Sequence, residues 1–227
     1  KNNILIFIPA YNVEDHIFKL FIDIPENIFK KDNISFLIIN DASTDNTSKE
    51  IKKIIKKFNY RIIIKNFNKN KGYGGVQKYA FKFAIKNKYK FLIMLHGDGQ
   101  YTPKKLNKFI NELKKEKHSA IFGTRMSDYN SALKGGMPVY KFIGNICLTF
   151  LQNIILSSNI SEFHSGYRSF RVNDLKLVNF NNNSDYYNFD TEILIRLLQK
   201  KLKIKEIAIP TIYKDQISHL KSIPYGI

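Results

Sequence analysis

The residues of this chain best suited to chemistry lie in one short run, His96-Gly97-Asp98-Gly99-Gln100, directly after the apolar Leu92-Ile93-Met94-Leu95. A carboxylate and an amide two residues apart would point the same way on extended backbone. The flanking glycines leave room for another group to approach the main chain closely. Oxygen donors of this kind suit a hard divalent cation, which normally brings phosphates with it. Alone, an Asp-x-Gln pair reads as a polar turn. Its neighbours change that reading.

Those neighbours alternate in type. Residues 4–8 are a wholly apolar run, read as a buried parallel strand, and a helix follows over 13–22. Residues 36–39 read as a second buried strand ending at Asn40-Asp41. Ser43, Thr44 or Asp45 can then cap a helix whose Ile51, Ile54, Ile55 and Phe58 share one face. A third strand over 61–65, a helix over 74–87 and a fourth strand over 91–95 come next. A helix over 103–117, with Pro near its first turn, and a short strand at 120–122 complete the series. This alternation predicts an α/β fold with a Rossmann-like, doubly wound, mostly parallel sheet and flanking helices.

Ligands bind such sheets beyond the carboxyl ends of the strands. Five loops are expected there: Pro9-Ala10-Tyr11-Asn12, Asn40-Asp41-Ala42-Ser43, Asn70-Lys71-Gly72-Tyr73-Gly74-Gly75, the 96–100 run, and Gly123-Thr124-Arg125. Downstream the pattern changes. The long apolar segment Val139–Leu156 is interrupted by Asn145, Thr149, Gln152 and Asn153, which predicts an amphipathic helix and no membrane span. Core packing is the ordinary use of such a helix, and a lipid-facing surface is the other. Ser161-Glu162-Phe163-His164-Ser165-Gly166-Tyr167-Arg168 reads as a polar loop. Residues 189–201 read as a helix with Asp190 and Glu192 in its first turn, where the helix dipole favours acids. Residues 204–209 and 211–213 are closing strands.

The 227 residues suffice for one domain with a sizeable core. A single cysteine, Cys147, excludes an intrachain disulfide framework and fits a reducing compartment. No signal-peptide pattern is visible at the start, and a basic, apolar stretch before Ile227 invites a membrane segment beyond it. The expected location is cytoplasmic, at the inner face of the membrane. A net charge of +18 from 37 basic and 19 acidic residues points to anionic partners, though the bias toward Lys, Asn and Ile alone would raise it. The basic residues are mostly Lys spread over predicted helices, without an Arg cluster or interleaved aromatics, which argues against nucleic acid.

A nucleotide fold with a Gly-rich loop could serve a dinucleotide, but that fingerprint needs G-x-G-x-x-G after the first strand, where this chain has Pro9-Ala10-Tyr11-Asn12. No Walker-type phosphate loop is present either. The combination of Pro9-Ala10-Tyr11-Asn12 with Glu14, Asn40-Asp41-Ala42-Ser43-Thr44-Asp45 and Gly72-Tyr73-Gly74-Gly75 instead resembles family 2 glycosyltransferases of the GT-A fold. The 96–100 run, Gly123-Thr124-Arg125 and Ser165-Gly166-Tyr167-Arg168 are similar to the polyprenyl-phosphate branch, which includes dolichol-phosphate mannosyltransferase. The resemblance spans residues 4–213 and predicts one GT-A domain, with a nucleotide-sugar half at 1–125 and an acceptor-side half at 126–227.

The resemblance implies roles residue by residue. Asp41 would bind the ribose or base of a UDP- or GDP-sugar, with Pro9, Ala10, Tyr11, Glu14, Lys71, Gly72, Gly74 and Gly97 lining that pocket. Asp98 and Gln100 would hold Mn2+ or Mg2+. Arg125 and Arg168 would neutralise phosphates, since a guanidinium can bind them bidentately, with Lys141 a weaker candidate. The family commonly has Asp where this chain has His96; an imidazole suits Mn2+ better than Mg2+, and His96 is read as a contact to metal or diphosphate or as a packing residue, the last two favoured. The implied reaction is inverting transfer to a polyprenyl phosphate. If the acceptor were a sugar hydroxyl of a glycan, a general base would be required, and Glu162 and then His164 are the candidates. A processive synthase is disfavoured because its Q-x-x-R-W motif needs a Trp and the chain has none. A non-catalytic basic binding module is the remaining alternative, with no use for an acid-amide pair at such a rim.

Overall fold

In the computed structural model, which describes residues 3–58 and 60–211, strand β1 (Ile4–Ala10) is buried on both faces. Ile4, Ile6 and Ile8 pack into one half of the core and Leu5 and Phe7 into the other, so its sequence is apolar without alternation. The first half holds α1 (Ile17–Asp23), α2 (Glu26–Phe29), α3 (Thr47–Lys57) and α5 (Leu106–Lys114) against β1, β2 (Ile34–Asn40) and β4 (Phe91–Met94). The second half is built by α4 (Gly72–Lys86), then α8 (Val172–Leu175) and α9 (Phe189–Gln199). A small satellite of Met126, Ala132 and Met137 joins α6 (Tyr129–Lys134) to α7 (Val139–Leu156).

With β3 (Ile62–Asn66), β5 (Ala120–Thr124), β6 (Arg168–Arg171) and β7 (Ile204–Ala208), the sheet has seven strands in the order β3-β2-β1-β4-β6-β5-β7. All are parallel except β6, which runs antiparallel between β4 and β5. The doubly wound, mostly parallel sheet is therefore as expected; the antiparallel strand β6 within it is not. The sequence offers no strand here, since β6, Arg-Ser-Phe-Arg, opens on the last residue of the expected polar loop. Its polar groups are nonetheless satisfied: Ser169 Oγ donates to Ile121 O at 3.0 Å. Because β6 starts where the parallel strands end, the 161–168 loop reaches the same rim as the five expected loops.

Element boundaries shift where side chains compete for backbone groups. The helix expected over 13–22 begins only at Ile17, after a turn at 14–16, and the Val13 and Glu14 N–H groups donate to Thr47 Oγ1 and Asp45 Oδ2. The helix expected over 103–117 opens as a 3₁₀ turn at Pro103–Lys105 and ends at Lys114. Ile55 of α3 is exposed, so only Ile51 and Ile54, with Phe58 partly buried, form its inner face. Thr211 is not in a strand, and the rest of the expected strand at 211–213, like the stretch before Ile227, lies outside the described residues.

Gly74 shows how tightly the second half is joined. Its N–H donates to Asp185 O at 2.7 Å, and a Cβ there would collide with Ser184 O. Gly74→Ala is expected to destabilise the fold by ~1–3 kcal/mol through overpacking, seen as a lower urea midpoint. An unchanged midpoint would mean that the 184–185 loop yields freely.

Candidate active site

The first two rim loops are sewn together by main-chain donors and side-chain acceptors. Asn12 N–H donates to Ser43 Oγ, Thr44 N–H to Asn12 Oδ1 at 2.9 Å, and Asn46 N–H to Glu14 Oε2 at 2.7 Å. Asn12 and Ala42 take left-handed backbone, φ 51° and 59°, where the loops fold back. Asp45, one of the expected caps, accepts from the N–H of Thr47, the first residue of α3. Glu14 thus acts within the loops, while Tyr11 stays 40% exposed beside them.

Asp41 performs the same service for the third loop. Its two carboxylate oxygens accept the N–H groups of Lys71 (2.7 Å) and Gly72 (3.0 Å) at the start of α4, where a helix favours negative charge. Burial pushes its carboxyl above the usual range, against the opposing pull of those N–H groups and of the Lys71 ammonium. The glycines here have a packing reason. Gly72 has φ +75°, and a Cβ on it would lie 2.5 Å from Asp185 O, so the space is filled by this chain's own loop.

At the fourth loop the extended geometry expected for Asp98 and Gln100 is replaced by a turn. Gly99 has φ +72° and its N–H reaches His96 O, while Asp98 Oδ1 accepts from Gln100 N–H at 2.9 Å. Gly97 lies against Pro9 O, which a Cβ would approach to 2.7 Å. Behind the turn is a network that sequence reasoning missed. Tyr73 Oη donates to Asp190 Oδ2 at 2.8 Å and meets His96 Nε2 at 3.3 Å, and Gln77 Nε2 donates to Asp190 Oδ1 at 3.0 Å. Burial, reinforced by the Asp190 charge, holds the Tyr73 phenol well above its ordinary value. The sequence reads Asp190 as a helix-capping acid, with orientation of the acceptor loop as the alternative; in the fold it is the buried acceptor of this network. Tyr187 stacks on Tyr73 at 5.2 Å and lies close enough to Asp98 to feel its charge.

Two expected phosphate clamps are reassigned by burial. Arg168 is 0% exposed, with Nε on Ser165 O and Nη2 on Phe163 O, both at 2.8 Å, Nη1 on Asp190 O, and its carbon 4.5 Å above the Phe122 ring. It locks the loop and does not reach solvent. Arg125 is nearly buried: Nε donates to Glu162 Oε1 at 2.8 Å, its backbone N–H to Glu162 Oε2 at 2.6 Å, and Nη2 to Glu162 Oε1 and His164 O. Asn145 of α7 adds its Nδ2 to Glu162 Oε1 at 3.2 Å. Glu162, the candidate base, is therefore an ion-pair partner inside the protein. His164 lies beside it, and burial is the main reason its imidazole stays below the ordinary 6.5.

The described residues gather no group of three or more His, Cys, Asp or Glu as a metal cage. The rim turn offers Asp98, with Oδ1 committed to Gln100 N–H, the Gln100 amide and His96. Such a small set fits a divalent cation that takes its remaining ligands from phosphates and water. The fold, its loop-borne polar rim and this donor set now stand together.

The sequence pattern described as Glycosyl transferase family 2 matches residues 5–178. The chain belongs to that family. It is 31% identical over 215 residues to an uncharacterized protein of Methanocaldococcus jannaschii, covering 95% of this chain and 84% of the relative. It is 27% identical to the UDP-N-acetylglucosamine–dolichyl-phosphate N-acetylglucosaminyltransferase of Methanococcus voltae, covering 93% of this chain and 86% of that one. In structure it is similar to glucosyl-3-phosphoglycerate synthase from Mycobacterium tuberculosis, solved with Mn2+, uridine diphosphate and phosphoglyceric acid. The TM-score is 0.66 at 14% identity, covering 91% of this chain and 68% of that chain, which shows the shared GT-A fold.

This family 2 glycosyltransferase thus carries a buried ion pair directly under its rim. Glu162→Ala would leave the Arg125 cation buried without its partner, and ~3–5 kcal/mol of stability should be lost. A urea midpoint close to wild type would show that Arg125 swings out to water. A second outcome concerns pH. Because His164 is held below 6.5, the unfolded chain takes up a proton there before the folded chain does, so stability should decline as pH falls below 6.5. His164→Asn should flatten that decline in a series of melting curves, and an unaltered slope would assign it to other groups.

Proposed function

We propose that this glycosyltransferase moves a sugar from a UDP- or GDP-sugar to a polyprenyl phosphate at the membrane surface, with inversion and with Mn2+ or Mg2+. The observation that carries the acceptor assignment is the orientation of α7. Val139, Tyr140, Ile143, Phe150, Leu151, Ile154 and Ile155 are all exposed, whereas its buried residues are Asn145 and Thr149. Beyond Phe142 and Ile146, which pack on the Met126 cluster, most of the helix's apolar side chains face outward while its two buried residues are polar, unlike a helix packed on a soluble core. An interfacial position would cover that face, and the +18 charge suits anionic headgroups, each nearby Lys or Arg adding about 1 kcal/mol. The Methanococcus voltae relative's name, which specifies a dolichyl-phosphate acceptor, supports the same class.

The rim chemistry agrees. Residues 1–125 supply the donor side: Asp41 retains lone pairs for a ribose or base after accepting Lys71 and Gly72 N–H. Asp98 and Gln100 would hold the cation, which when bound stabilises negative charge on the leaving diphosphate. Residues 126–227 supply the acceptor side. A hydroxyl acceptor would need a base, and Glu162 is committed to Arg125. A phosphate acceptor is already anionic and needs none, which favours the lipid phosphate over a glycan hydroxyl.

Thermal melts with UDP or GDP, with and without Mn2+, test the donor side. A nucleotide at ~100 times its dissociation constant should add ~2.7 kcal/mol, and Asp98→Asn should abolish the metal-dependent part. No shift with either nucleotide would remove the donor assignment. Flotation with vesicles containing anionic lipid should recover the protein, and the double variant Ile143→Glu/Ile154→Glu should stay behind. Equal recovery of the two would sink the role given to α7.

A further inference from the structure

The surroundings of His96 determine which of its ring nitrogens is available. The Tyr73 hydroxyl has a single proton, donated to Asp190 Oδ2 at 2.8 Å. Asp190 also accepts Gln77 Nε2 and lies 3.8 Å from the Arg168 guanidinium, the setting of a carboxylate acceptor. With its proton committed, Tyr73 Oη faces His96 Nε2 at 3.3 Å as an acceptor, a contact that calls for the hydrogen on Nε2. Gly166 closes the same edge: a Cβ there would lie 2.6 Å from Nε2 and 2.9 Å from Cε1. Tyr101 packs edge-on at 5.0 Å. Nδ1 retains its lone pair and makes no hydrogen bond to the described residues.

We propose that His96 is a ligand, through Nδ1, for the divalent cation that Asp98 and Gln100 receive with the diphosphate, and that it selects Mn2+ over Mg2+. The inference rests on the metal-dependent reading above and deepens it. A neutral ring with a bare Nδ1 cannot donate a hydrogen bond to a diphosphate oxygen from that atom, but it can donate an electron pair to a metal. Mg2+ prefers an all-oxygen octahedron, whereas imidazole suits the transition metals. Tyr73 is the positioning residue. By accepting Nε2–H it sets the tautomer and ring orientation, as groups behind metal-bound histidines do, and Asp190 in turn orients Tyr73. This gives one reason for four otherwise separate features: an imidazole two residues before Asp98, a phenol behind it, a buried carboxylate behind the phenol, and a glycine at residue 166.

Pulsed EPR of Mn2+ bound to the full chain, with UDP and separately with GDP, reads the ligand directly. A 14N coupling is expected from wild type and should vanish in His96→Asp, whose affinity ratio for Mn2+ over Mg2+ should fall at least about tenfold. Tyr73→Phe should weaken Mn2+ binding ~10–100-fold and alter the 14N coupling while the protein stays folded. If Mn2+ binds in an Asp98-dependent manner without nitrogen coupling, His96 is a packing residue and only this inference falls. If wild type binds neither cation with either nucleotide, the metal-dependent reading falls with it. Should His96→Asp fail to fold, the wild-type spectrum alone decides.

Discussion

One fully buried cation holds the rim on the side of the 161–168 loop. Arg168 spends its guanidinium on three carbonyl groups, those of Phe163, Ser165 and Asp190, and lies over the Phe122 ring. A fully buried arginine is tolerable only when its donors are met and a carboxylate is near, here Asp190 at 3.8 Å. Meeting those donors pins the 161–168 loop to the start of α9 and to β6 at once. Everything the rim presents from that side, including Glu162, His164 and the Gly166 contact with His96, inherits its position from this fork.

The loops after β1, β2 and β3 are held differently. There Asp41, Asp45, Glu14 and Asn12 each accept main-chain N–H groups. These side chains are staples between consecutive β-α turns, joining the first to the second and the second to the third.

This difference also explains what could be read from the sequence. The parallel strands were legible because burial on both faces leaves continuous apolar runs such as residues 4–8 and 91–95. The loops at their carboxyl ends followed from topology. β6 was hidden because its arginines and serine look like a solvated loop, and only tertiary partners make them compatible with burial. The same holds for Glu162 and Arg168: residue type suggested a base and a phosphate clamp, while pairing with groups distant in sequence turned both into internal structure. Gly72 and Gly74 carried a signal of close approach. What approaches is the chain's own 184–185 backbone. The span of α7 was legible from its length and composition, but periodicity alone could not say which face looks outward.

The antiparallel insertion of β6 has a consequence for how the chain is made. β4 and β5 do not pair with each other: residues 168–171 lie between them, with β1 on the far side of β4 and β7 on the far side of β5. During synthesis from the N-terminus, β1 to β4 can assemble early, yet β4 keeps an open edge and β5 has no partner until β6 has left the ribosome. At about 5–20 residues per second that interval lasts on the order of seconds. Throughout it an apolar strand edge and the outward face of α7 are both uncovered, the combination most prone to pairing with another nascent chain. Expression at low temperature with slowed initiation, or with a holdase that covers α7, addresses that interval rather than the finished fold.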